Sequence, residues 1–105
     1  MNNTYSDLVD QTFNFPQEGY DLKDGYLQYN DVNVTALIAK YATPLKFTYL
    51  PKIGMQINKA KKMFANAMKK HKYEGSYNYC YCTKSSHFSF IIEEALKHDI
   101  NLETS

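Results

Sequence analysis

The chain contains no arginine and no tryptophan; all twelve of its basic residues are lysines. Without a guanidinium, no side chain here can hold a carboxylate or a phosphate through two parallel hydrogen bonds. Long apolar runs are missing too. None approaches the ~20 residues that a membrane-spanning helix requires, and the opening MNNTYSDLVDQ lacks the basic stretch and apolar core of a secretory signal. Only two cysteines occur, Cys80 and Cys82, and their spacing along one strand is poor for a mutual disulfide. A reducing, cytoplasmic setting is therefore expected. Repeats and low-complexity segments are absent, and a formal net charge of +1 points to no acidic partner.

What is present suits one small domain with a modest core: 105 residues, 44% hydrophobic, with ten tyrosines. Residues 4–13 have the pattern of a short amphipathic helix. Pro16, Gly19 and the Asp24-Gly25 pair punctuate a turn-rich stretch, with a strand expected at Tyr26–Tyr29. Val34, Leu37, Ile38 and Tyr41 share one helical face, and Thr43-Pro44 ends that helix. Residues 45–50, LKFTYL, alternate as a strand does. Pro51 then opens the longest helix, whose stripe Ile53, Ile57, Ala60, Phe64, Ala67, Met68 runs down to about His71, with Glu74-Gly75 as its breaker. A second strand is expected at 76–83, then a helix capped by Ser85 or Ser86 with Phe88, Ile91, Ile92, Ala95 and Leu96 inward. A further strand begins near Ile100. Strand, helix, strand, helix, strand argues for an α/β architecture with parallel strands, and the stop at Ser105 leads us to expect a portion of something larger.

Three features invite a chemical reading. Seven lysines and His71 lie between residues 51 and 73 with no acidic residue among them, which a small nucleic-acid-binding module would use against phosphates. The regular apolar stripe beside them is equally that of an ordinary helix with a solvated basic face. Cys80-x-Cys82 with His87 has spacing too short for structural zinc, so no metal is assigned and a buried, reduced pair is expected. Lys84 is the third feature. Period-two alternation puts Cys80, Cys82 and Lys84 on one strand face and Tyr77, Tyr79 and Tyr81 on the other. A lysine at the carboxyl end of a parallel strand stands where α/β folds place their sites, and burial there lowers its pKa toward nucleophilic use. Spacing alone leaves a snorkelling surface lysine open as well.

The phrases YATPLKFTYL (residues 41–50), NYCYCTKSSHFSF and INLETS resemble the start of the pyridoxal-phosphate decarboxylases with an alanine-racemase-like (β/α)8 barrel. That group includes ornithine, diaminopimelate and biosynthetic arginine decarboxylases, and the wording is most similar to the arginine branch. The resemblance implies an N-terminal extension over 1–33. The barrel domain then starts over 34–105 and is truncated after the start of its second strand. It implies Lys84 as the lysine that carries pyridoxal 5'-phosphate, Glu103 as the carboxylate that orients or ionises it, and His87 as a further cofactor contact. Magnesium comes with it as a candidate ion. The implied reaction is decarboxylation of L-arginine to agmatine and carbon dioxide, in polyamine biosynthesis, by a homo-oligomeric full-length enzyme. Neither nucleic acid nor membrane is a partner in that reading. Diaminopimelate or ornithine is the alternative substrate. The phosphate grip and the residues that read the guanidinium are expected further along the chain, so this segment alone is expected to be inactive. Two positions depart from the family: Ala42 stands where glycine is usual, and Ser86 where asparagine is common.

Overall fold

The fold is that of a computed structural model, which describes residues 18–104; the helix expected over residues 4–13 lies outside them. The chain divides into two units between Phe47 and Thr48.

In the first unit, β1 (Tyr20–Lys23), β2 (Tyr26–Tyr29) and β3 (Val32–Asn33) form an antiparallel sheet in that order, with Tyr20 opposite Tyr29 and Gln28 opposite Asn33. Both connections are two-residue loops with positive φ throughout, Asp24 (53°) and Gly25 (78°), then Asn30 (46°) and Asp31 (66°). That is the turn whose twist matches paired strands, and Asp, Asn and Gly are the residues that accept it. The expected strand at Tyr26–Tyr29 is present. Within the turn-rich stretch before it, Tyr20–Lys23 is itself a strand, because the Asp24-Gly25 turn folds it back onto β2. The Tyr20 and Tyr29 rings pack against each other across the sheet, centroids 4.8 Å apart and planes tilted by 58°.

Helix α1 (Val34–Tyr41) has the span expected. Asn33 caps it, its side-chain oxygen accepting from the Ala36 N–H at 2.9 Å. Val34 is buried, whereas Tyr41 is exposed with Lys40 above its ring. Residues 45–49 form no strand. Alternation suits a ladder but does not supply one, and Phe47 packs edge-on against Tyr29 at 5.7 Å instead.

In the second unit, α2 (Pro51–Lys70) begins on proline as expected. It ends before Glu74-Gly75, through a left-handed Lys72 (φ 52°). Tyr73 N–H donates to the Met68 carbonyl at 2.9 Å and Lys72 N–H to that of Lys69 at 3.3 Å, which closes the helix end with lysine where glycine usually stands. Next come β4 (Cys80–Cys82), α3 (Ser89–Leu96) and β5 (Asn101–Glu103). β4 is shorter than the expected strand. Neither Ser85 nor Ser86 caps α3: its first turn follows Phe88, with no side-chain cap. Ile57, Ala95 and Ile100 make the core, with Ile53, Tyr79 and Tyr81 packed on it. Ala95 alone of the expected α3 face is fully buried; Phe88 and Leu96 are exposed.

Candidate functional site

β4 and β5 pair in parallel, with Cys80 opposite Asn101, Tyr81 opposite Leu102 and Cys82 opposite Glu103. The three-residue strands are joined through α3, so both run the same way and their carboxyl ends lie at one edge of the sheet. Lys84 stands in the turn that leaves β4 at that edge, and Glu103 closes β5 there. Thr83 ties the two ends together. Its backbone N–H donates to the Glu103 carbonyl at 3.1 Å and its hydroxyl to the same oxygen at 3.2 Å. The turn is held from its own side by Ser85 N–H, which donates to the Cys82 carbonyl at 3.2 Å. The Tyr81 hydroxyl donates to the Ser86 carbonyl at 2.8 Å.

Tyr79 and Tyr81 face the core that α2 and α3 supply. Alternation therefore turns Cys80, Cys82 and Glu103 to the opposite face. The cysteines are reduced, yet Cys80 is exposed and Cys82 half-buried. The expected burial fails because both helices cover the tyrosine side and, among the described residues, nothing covers the other. The same asymmetry acts on Lys84, which is exposed rather than buried. Among the described residues, its ammonium makes no hydrogen bond or ion pair, with Glu103 or otherwise. His87 is also exposed, its ring stacked on Phe88 at 6.1 Å, and Phe88 in turn on Phe90 at 5.4 Å.

Lys61 is a site-building residue that its place in the basic run conceals. Its Nζ donates to the His98 carbonyl at 2.7 Å and to that of Asp99 at 2.5 Å, fixing the turn between α3 and β5 and so the position of Glu103. The signal available in the sequence was its place beside the apolar stripe, four residues after Ile57, rather than on the open face with Lys59, Lys62, Lys69 and Lys70. Glu94, in the last turn of α3, accepts from Lys97 at 2.7 Å and lies 3.8 Å from His98. The Lys97 hydrogen bond, aided by the charges of Lys97 and His98, holds the Glu94 carboxyl below its ordinary value; the same bond raises Lys97.

Among the described residues no three His, Cys, Asp or Glu side chains gather to hold a metal ion, and no helix is long and apolar enough to cross a membrane. In chemical terms the carboxyl edge of this parallel pair carries a primary amine, Lys84, and a carboxylate, Glu103, with no ion pair between them among the described residues. The chain was compared with protein-family models, with curated proteins and with solved structures, and none of the three comparisons gave a match.

Proposed function

We propose that the chain is the lysine-bearing part of a pyridoxal-phosphate-dependent decarboxylase of the alanine-racemase-like barrel type, with L-arginine as substrate and agmatine and carbon dioxide as products. The observation that carries the reading is the parallel register of Cys82 against Glu103, which brings Lys84 and a carboxylate to the same strand edge. Arginine as the substrate rests on the wording of residues 43–53, 78–90 and 100–105.

The residues present fit the aldehyde end of the cofactor. A primary amine without an ion-pair partner can condense with an aldehyde once deprotonated, and Lys84 Nζ would hold the cofactor in that way. Glu103, on the neighbouring strand end, would take and return the proton at Nζ. Thr83 keeps the two ends in register, and the Tyr81 to Ser86 hydrogen bond fixes the backbone from which His87 would meet the cofactor. Pyridoxal phosphate, when bound, supplies the electron sink for loss of the carboxylate.

Incubation with pyridoxal phosphate, borohydride reduction and peptide mapping tests the assignment. The expected label sits on the peptide containing Lys84 and is lost in Lys84→Ala, while the chain alone releases no agmatine from arginine. A label spread over the α2 lysines and undiminished in Lys84→Ala would sink the reading.

A further inference from the structure

We infer that the carboxyl-terminal half of α2 carries a docking trough for an acidic amphipathic helix of a partner protein. The amino-terminal half of the α2 stripe, Ile53 and Ile57, is spent on the core with Ala95 and Ile100. The stripe does not stop there: Phe64, Ala67 and Met68 continue it at helical spacing beyond the core. Met63 is 63% exposed and Phe64 51%.

This surface is concave. Tyr77 returns alongside α2 and stacks on Phe64 at 4.5 Å with the rings 15° apart. A cavity of about 380 Å³ opens between Phe64, Met68, His71, Tyr73 and Tyr77. A second one, about 210 Å³, is lined by Met63, Phe64 and Ala67. Phe64 and Ala67 wall both, so the two depressions are neighbours along one helix, as successive anchors of an amphipathic helix require. The size of the larger suits a bulky side chain or two.

Charge selects the occupant. Residues 51–73 hold seven lysines and no acidic residue, and Lys59, Lys62, Lys69, Lys70 and Lys72 are all exposed. Lys59 lies one turn before Met63, and Lys70 three residues after Ala67, so the trough is flanked by positive charge on the helix that forms it. A second copy would bring the same unbalanced lysines into opposition, at a cost. A flat anionic membrane would satisfy the lysines but leave the two depressions unfilled. A nucleic acid would leave the apolar trough unused. An acidic helix with apolar anchors fills the depressions and neutralises the rim.

The test uses the full chain and a fluorescein-labelled helical peptide with leucines at i, i+4 and i+7 and glutamates between them, followed by anisotropy. Saturable binding with a Kd on the order of 10 μM at low salt is expected, weakening about tenfold in Phe64→Glu and in the surface double variant Lys59→Glu/Lys70→Glu. That double variant leaves the trough and core untouched, and circular dichroism verifies its fold. A composition-matched scrambled peptide binding equally well would overturn the proposal. So would binding unchanged in both variants, a Phe64-dependent dimer in sedimentation, or tighter retention on phosphatidylserine vesicles than on the peptide. Since Lys84 has no part in the trough, Lys84→Ala is expected to leave peptide binding intact, whatever the labelling experiment gives.

Discussion

Thr83 bonds the Glu103 carbonyl twice, through its N–H at 3.1 Å and its hydroxyl at 3.2 Å. One residue thereby decides where two chain ends meet: Lys84 follows Thr83 directly, and Glu103 has Cys82 opposite it. Because Glu103 is the last residue of β5, the alignment of amine and carboxylate rests on this short ladder and on what anchors its far side.

Lys61 is that anchor, and its loss is expected to be costly. Lys61→Met keeps the aliphatic stem but leaves the His98 and Asp99 carbonyls without the ammonium. Hydrogen bonds from a charged donor contribute about 1.5–3 kcal/mol where they are shielded, and a loss of ~1–2 kcal/mol is expected by urea denaturation at this half-buried place. Lys62→Met, on the open side, should change stability by less than ~0.5 kcal/mol. Equal effects of the two would remove Lys61 from its anchoring role.

Gly54 is buried in α2, and a Cβ there would overlap the His98 imidazole. Alanine in a helix interior ordinarily gains ~1 kcal/mol over glycine. Gly54→Ala is expected to gain nothing or to destabilise, and the same change in a His98→Ala background to gain the full ~1 kcal/mol. A double-mutant cycle with coupling near zero would show that His98 moves aside freely.

Ala42 ends α1 at φ 62°, ψ −174°, a conformation that essentially only glycine adopts without strain, which costs about 1–3 kcal/mol. Ala42→Gly is therefore expected to raise the urea midpoint, by ~1 kcal/mol or more in stability. Lys72→Gly, at φ 52°, should act in the same direction in the second unit, by ~1 kcal/mol. A loss of stability in both would contradict the geometry of these two helix ends.

The Glu94 cluster sets a pH dependence. Its carboxyl is held below the ordinary value of 4.5 first by the Lys97 hydrogen bond. Its contribution is thus present above pH 4.5 and is lost as pH falls through the lower folded value. Lys97 is raised above 10.5 by the same bond, so its share is present below pH 10.5 and lost only as pH climbs past that. Between these limits both partners of the Glu94–Lys97 hydrogen bond are charged. In Glu94→Gln, the fall in urea midpoint below pH 4.5 is expected to become shallower; an unchanged acid limb would dissociate the cluster from acid stability.

The helices were legible because their signals are local. Val34–Tyr41 and the start of α2 at Pro51 follow from apolar spacing and proline stereochemistry, as do the Asp24-Gly25 turn and β2. Residues 45–50 show the opposite case. Their alternation is that of a strand, but a strand exists only where a neighbour offers its hydrogen bonds, and here Phe47 packs on the Tyr29 ring instead. The end of α2 near His71 was legible too; what the sequence did not show is that the chain turns through a left-handed Lys72, where the Met68 and Lys69 carbonyls accept, ahead of Glu74-Gly75. Cys80 and Cys82 were expected inside because small residues on a strand usually are. Which face the helices cover is settled by the whole packing, and they cover the tyrosines.

By itself, the sequence determined the lysine at the end of β4 and the single-signed charge of α2, since alternation, composition and spacing are properties of neighbouring residues; Glu103 entered through the family resemblance alone. Only the tertiary structure decided that β4 and β5 pair in parallel with Cys82 against Glu103, that Lys61 leaves the basic face to hold the turn before β5, and that only the amino-terminal half of the α2 stripe joins the core among the described residues. Those three facts depend on contacts between residues some twenty to forty positions apart, and no local pattern encodes which distant partner wins.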